Sequence, residues 1–270
     1  MKKVIIALVA IVAIVTASCQ RQGGEIEWKT YTYKDSLSES IVSLVFDAEM
    51  ELPESGLTKA VRNNLRNNII LNALGENYVE FSNKKMLKVY ADSSLAGYNQ
   101  FADEFETLNK EIEFTIDCET RIRGAVSFEN DVLLNYENRK YIYSGGAHGV
   151  SRVDNYIFDL TTGGIISEKD IFSANVDYRL HKLLVEAANI LRQDNILPSI
   201  SDFFSDELVV TNGNIELGEN GLSYIYNPYE IAPYAYGVVA IPLDNNKVIP
   251  LLNPECPIYG YISDLVEKQN

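Results

Sequence analysis

Strand-like and helix-like stretches follow one another in blocks along this chain, not in strict alternation. Trp28–Lys34 and Ile41–Leu52 read as two strands joined through Asp35-Ser-Leu-Ser, and Pro53-Glu-Ser-Gly is a turn. Leu57, Val61, Leu65 and Ile69, with Ala60 and Ala73, then fall at helical spacing and stop before Gly75. A longer helical stripe runs through Leu87, Tyr90, Ala91, Leu95, Tyr98, Ala102, Phe105 and Leu108. From Ile112 to Ile122 the even positions are mostly apolar and the odd ones mostly charged. That is a strand buried on one face, with Cys118 on the buried side. Such blocks predict an α+β fold, with mainly antiparallel sheets and helices packed on them.

From Val126 the character turns to hairpins. Phe128–Tyr143 and Val150–Leu160 are aromatic and β-branched, and Ser144-Gly-Gly-Ala-His-Gly149 lies between them. Thr161-Thr-Gly-Gly164 is another turn. Leu180, Leu183, Leu184, Ala187 and Leu191 mark an amphipathic helix over Val176–Arg192. Leu208–Leu217 and Leu222–Tyr226 read as strands around the hairpin signal Glu219-Asn220-Gly221, and Val238–Leu243 is a last strand. The change of character divides the chain into an N-terminal α+β sub-domain, residues 28–123, and a C-terminal β-rich α+β sub-domain, residues 124–262. No linker marks the boundary, so the two are expected to share a core.

The start of the chain carries an address. Met1-Lys2-Lys3 is basic, Val4–Val15 is apolar and Thr16-Ala-Ser-Cys19 follows. The apolar run falls short of the ~20 residues a spanning helix needs, so residues 1–18 read as a signal peptide. Thr-Ala-Ser-Cys resembles the lipobox of bacterial lipoproteins, where the chain is cut before the cysteine and its sulfur is acylated. Cys19 is then the lipidation site and residues 19–27 a tether. An acyl chain contributes ~0.8 kcal/mol per buried CH₂, and stable anchoring takes more than one chain. The implied location is the bacterial cell envelope. The absence of Asp at position 20 favours the outer membrane over the inner one.

The formal net charge is −15, and loss of Lys2 and Lys3 with the leader lowers it by two, to −17. Such a surface repels nucleic acid and anionic lipid and attracts basic partners over ~8 Å. Cys256 sits between Glu255 and Pro257. An oxidising compartment permits a Cys118–Cys256 bridge, provided the Cα atoms come within ~7 Å. His181 follows Asp177 by four residues on a helix flank, the spacing of a surface pair. His148 lies in the Gly-rich turn. A nucleophile–base arrangement there would recruit Ser144 or Ser151, with Asp154 or Asp159 as orienter. No Gly-x-Ser-x-Gly elbow surrounds either serine, and local packing of His148 in the turn is the simpler expectation. Two distant histidines and two distant cysteines do not make a metal set by spacing. No P-loop, EF-hand or dinucleotide fingerprint is present, so no cofactor is implied. The acidic pairs Glu111/Glu113 and Asp117/Glu119 read as a solvated strand face.

Tyr224–Gly237 holds five tyrosines and two prolines in fourteen residues. Tyrosine offers large contact area at low entropic cost, which suits protein recognition, although the same rings could cover the end of a sheet. His148, Tyr229, Glu230, Tyr234 and Tyr236 are the candidate partner contacts.

The motifs Gly145-Gly-Ala-His-Gly149, Tyr156-Ile-Phe-Asp-Leu-Thr-Thr-Gly163, Lys169-Asp-Ile-Phe172 and Tyr226-Asn-Pro-Tyr-Glu-Ile-Ala-Pro-Tyr-Ala-Tyr-Gly237 occur in that order. Together they resemble a family of bacterial envelope domains of largely unknown function. That family includes the ectodomain of a lysozyme-sensing anti-sigma factor and the non-catalytic part of some peptidoglycan deacetylases. The likeness is specific over residues 125–250; the N-terminal half resembles, more loosely, the domain that often precedes it. The resemblance implies an α+β architecture and supplies no catalytic residue. The chain departs from the sensor members in having a lipid anchor where they have a spanning helix. The expectation is a lipid-anchored envelope binding or accessory protein, whose partner is a basic, lysozyme-like protein or a cell-wall glycan such as peptidoglycan. The alternatives are an envelope hydrolase built on His148 and a structural lipoprotein without a discrete ligand.

Overall fold

A computed structural model of the chain describes residues 25–39, 42–108, 116–194, 196–197 and 206–269. Strands β1 (Glu27–Glu39) and β2 (Val42–Ser55) form a long hairpin. In β2, Leu44, Phe46, Ala48, Met50 and Leu52 are fully buried, and the residues between them face the other side. Helix α1 (Lys59–Ala73) starts where the Thr58 hydroxyl accepts the Val61 N–H, and it buries Leu65, Ile69, Ile70 and Ala73. Helix α2 (Asn83–Leu108) follows, and both helices lie on the apolar face of the hairpin. The side chains of Ala102, Phe105 and Leu108 in its stripe lie outside the described residues. This helical crossover lets β3 (Ile116–Glu129) pair parallel to β2. The remaining pairings, through β4 (Leu133–Tyr143), β5 (Val150–Asp159) and β6 (Gly164–Ile166), are antiparallel, giving a six-stranded sheet in sequence order.

A second, three-stranded antiparallel sheet covers part of the opposite face. It comprises β7 (Ile215–Gly218), β8 (Gly221–Tyr226) and β9 (Val239–Pro242). Strand β7 lies across β4 and β5, where Leu133 and Ile157 point towards it. Beyond it pack α4 (Asp177–Gln193) and α6 (Pro257–Gln269), with the short α3 (Glu168–Ile171) and α5 (Asn245–Val248). The α+β class is therefore realised as helix–sheet–sheet–helix layers. One core cluster joins α1 and α2 to the large sheet through Phe46, Met50, Leu65 and Tyr136. Another surrounds the small sheet through Leu184, Leu217, Tyr224 and Ile258. The uncovered face of β1–β3 is polar, with Lys34 and Arg123 closing on Asp47 at 3.0 and 2.8 Å. Asp117 is exposed on that face and Glu119 pairs with Arg121; Glu111 and Glu113 lie outside the described residues.

Several expectations are corrected. The boundary at 123–124 falls inside β3, whose ladder with β4 continues through Arg123↔Arg139 and Gly124↔Asn138. The stretch Phe128–Tyr143 contains a turn, because the Asn130 side chain accepts the Val132 and Leu133 N–H groups. Strand β7 begins only at Ile215. Upstream of it, Asn212 accepts the Asn214 N–H and donates to the Ile225 carbonyl, so side chains take bonds a ladder would have made. His181 is half-buried, with Nδ1 3.1 Å from the Val209 carbonyl, not part of a surface pair. Cys118 and Cys256 are free, buried thiols, and no bridge joins them. Cys118 packs with Leu44 beside α2, whereas Cys256 belongs to the cluster around the small sheet. Burial pushes both thiols above their usual range. The leader 1–18 and Cys19 lie outside the described residues. Among the described residues no helix is long and apolar enough to cross a membrane.

Candidate functional site

The two most distinctive sequence motifs meet at one surface because both are tied to β5. The first is the turn between β4 and β5. Gly145 and Gly146 have φ of 82° and 100°, which β-carbon-bearing residues rarely adopt. A Cβ on Gly149 would come within 2.5 Å of the Tyr141 ring. These glycines let the chain present His148 immediately before β5 begins.

The second motif leaves β8 at Asn227. Asn227 Oδ1 accepts the Val153 N–H at 2.7 Å, and Nδ2 donates to the Val153 carbonyl at 3.1 Å. Two residues along β5, Asn214 Oδ1 accepts the Asn155 N–H at 2.9 Å, and Asn214 Nδ2 donates to the Val153 carbonyl at 2.8 Å. Asn135 extends the network, donating to Asn155 Oδ1 at 2.9 Å and accepting the Leu217 N–H at 3.0 Å. All four asparagines are buried. The Asn214 and Asn227 amides occupy the edge of β5 where β6 no longer pairs with it, so the Val153 and Asn155 backbone groups they meet are satisfied.

Anchored in this way, the Asn227–Tyr236 segment folds against the His148 turn. Glu230 accepts the Asn227 N–H at 2.9 Å and the Asn212 amide at 3.1 Å, closing the turn. Tyr229 sits in the left-handed region, with φ of 72°. The His148 ring stacks on Tyr234 with centroids 4.0 Å apart and planes at 18°. Tyr229 stacks on the same Tyr234 at 5.9 Å, and its hydroxyl lies 3.5 Å from His148 Nε2. Tyr229 is 62% exposed, so the stack ends in an open ring. Arg152 on β5 reaches the same turn, 2.8 Å from Asp154 and 3.6 Å from Glu230. Burial alone would weaken its charge, but Asp154 and Glu230 outweigh this and raise the pKa of the guanidinium.

The structure thus brings together His148, Tyr229, Glu230 and Tyr234. Tyr236 is exposed on the following turn, outside the stack. Tyr224 and Tyr226, from the same tyrosine-rich segment, are core residues with almost no exposure. Three of the groups a nucleophile–base arrangement would place around His148 are engaged elsewhere, while Ser151 is exposed at the start of β5. Ser144 meets the Tyr98 hydroxyl at 3.2 Å, Asp154 holds Arg152, and Asp159 caps the Thr161 turn. Among the described residues no three His, Cys, Asp or Glu side chains cluster to hold a metal ion. The supporting asparagines escaped the sequence reading, since asparagine signals turns and their partners lie up to 82 residues away. Their one trace is polar residues interrupting the aromatic and aliphatic runs of β4 and β5.

Residues 169–244 match a family described as a protein of unknown function, DUF3298. No curated protein matches the chain. Its fold is similar to that of a DUF3298-family protein from Bacteroides fragilis, at 19% identity and a TM-score of 0.78, over 90% of this chain and 99% of that one. It is also similar to a DUF3298-family protein from Pseudomonas aeruginosa PAO1, at 14% identity and a TM-score of 0.54, over 86% and 96%. At these identities the likeness is one of fold. The matched residues contain Lys169–Phe172 and Asn227–Gly237, whereas Gly145–Gly149 and Tyr156–Gly163 precede them. Through residues 169–244, then, the chain carries a match to DUF3298, a domain of unknown function.

Proposed function

We propose that the chain is a lipid-anchored accessory protein of the bacterial envelope, held through Cys19, that captures a basic, lysozyme-like protein on the His148–Tyr229–Tyr234 surface. The observation that carries this reading is the ring stack. It offers an open aromatic end, on a turn fixed by buried asparagine bonds, in a chain of net charge −15. Rigid aromatic anchors carry most of the energy of typical interfaces, ~2 kcal/mol or more each, and bind best when already ordered. Long-range attraction between the acidic chain and a basic partner speeds encounter.

The test measures lysozyme binding and thermal stability in parallel for the parent, Tyr229→Ala, Tyr234→Ala and His148→Ala. Binding by the parent is expected, with an on-rate that falls as salt rises. Loss of Tyr229 or Tyr234 should weaken affinity tenfold or more with the fold intact. Absence of binding by the parent removes the partner. Unfolding of all three variants assigns the motifs to the fold. Mass spectrometry of the membrane fraction tests the anchor, and an unmodified Cys19 would contradict it.

A further inference from the structure

A cleft of about 740 Å³ opens between β1, α1 and the turn leading into α2. It shares no residue with the His148 surface, and the proposed function does not use it. Arg66 forms its floor. Its Nε donates to Asn83 Oδ1 at 2.6 Å, and Nη1 donates to Asn67 Oδ1 at 2.7 Å and to the Val79 carbonyl at 2.8 Å. Nη2 donates to the Phe81 carbonyl. Four of the five N–H groups of a guanidinium are thereby spent on fixed, neutral acceptors. Tyr31 and Phe81 line the cleft as aromatic walls. The Tyr31 hydroxyl is held by Glu54, and Lys85 Nζ stands 5.2 Å over the Phe81 ring. Asn83 also reaches Glu54, at 3.4 Å, so floor and wall form one bonded unit.

Around this unit stand polar groups with unspent hydrogen-bonding capacity. Asn63, Glu80, Ser82 and Lys84 are exposed at the cleft, and their side chains make no hydrogen bond among the described residues. Asn67 uses only its oxygen, which leaves its amide N–H groups available.

We infer that this cleft binds a neutral saccharide. A planar amide can bridge neighbouring hydroxyls, donating to one and accepting from another, and the Glu80 carboxylate can accept from two. Lys29 Nζ stands 5.7 Å over the Tyr31 ring, as Lys85 Nζ stands 5.2 Å over that of Phe81, so a pyranose C–H face would have to meet the opposite ring faces. For an anion the cleft offers the Lys84 ammonium and one remaining guanidinium N–H, set against the Glu80 carboxylate beside Arg66. An apolar ligand would strip water from several polar groups without replacing their bonds. The volume lies within the ~300–1,000 Å³ of small-ligand sites.

The test titrates the full-length chain with chitotriose, maltotriose and inorganic phosphate, followed by side-chain amide NMR and calorimetry. Binding of at least one trisaccharide is expected at or below about 10 mM, a weak affinity. Shifts should centre on Asn63, Asn67 and Asn83. Asn63→Ala combined with Asn67→Ala should weaken binding at least fivefold, whereas Tyr229→Ala should leave it unchanged. Thermal stability confirms that the double variant is folded. If it is not, Asn63→Ala alone, with an exposed side chain that makes no bond to the protein, should still weaken binding at least twofold. Binding of phosphate alone, binding of none of the three, or binding lost only with Tyr229→Ala would each overturn the inference. Because lysozyme capture is read through Tyr229, failure of either site leaves the other standing.

Discussion

The side-chain amide of Asn227 pairs with the backbone of Val153 as a neighbouring strand would, accepting its N–H at 2.7 Å and donating to its carbonyl at 3.1 Å. Together with Asn214 it closes the edge of β5, and it sets where the Tyr229–Tyr236 segment begins. The Asn-Pro dipeptide that reads as a turn in the sequence is thus also a clamp between the two sheets.

Asn227→Ala should destabilise the protein by about 2–4 kcal/mol, because it removes two buried hydrogen bonds and leaves the Val153 N–H unpaired. The Val153 carbonyl keeps its bond from Asn214, which limits the loss. Urea unfolding of the parent and the variant checks this. A change below ~0.5 kcal/mol would mean that the clamp is not holding the edge. Loosening should also uncouple the Tyr229 turn from His148, so nuclear Overhauser contacts between the His148 and Tyr234 rings should weaken in the folded variant.

The alternation around Cys118, the helical stripes and the Gly-rich turn were legible in the sequence because each depends on neighbours a few residues away. Cys118 does lie on the buried face of β3. The extent of β7 was not legible. Leu208–Val210 is apolar enough for a strand, but Asn212 and Asn214 draw the backbone away through side-chain bonds. The fate of the tyrosines was equally hidden. Tyr224 and Tyr226 enter the core, while Tyr229, three positions on, faces solvent across a turn set by Asn227. The meeting of the His148 turn with the tyrosine segment had no local signal either, since it depends on contacts across β5.

Glu216 on β7 supplies a pH test. Burial raises its pKa above the usual carboxylate range, and the nearby Glu137 adds to this, with Arg139 pulling the other way. A carboxyl raised in the folded state favours folding while it is protonated. That contribution is lost as pH climbs through the unfolded and then the folded value. Glu216→Gln keeps the shape without the charge. It should raise the melting temperature at pH 7 and leave it nearly unchanged at pH 3, where both side chains are neutral. Equal effects at the two pH values would assign the change to packing.

The backbone at Tyr229 separates strain from recognition. Its φ of 72° is costly for a residue with a Cβ, by roughly 1–2 kcal/mol, and costs glycine little. Tyr229→Gly should therefore be more stable than Tyr229→Ala by about 1 kcal/mol, the reverse of the order in most strands and helices. Both variants lose the ring that ends the stack on Tyr234 and meets His148 at 3.5 Å. Both should accordingly lose partner affinity to the same extent, through faster dissociation. Denaturant unfolding and surface-based binding kinetics on the same three proteins check the two halves. If the alanine variant equals the glycine variant in stability, the left-handed turn is not maintained in solution. If it retains affinity that the glycine variant lacks, the turn's shape rather than the Tyr229 ring makes the contact.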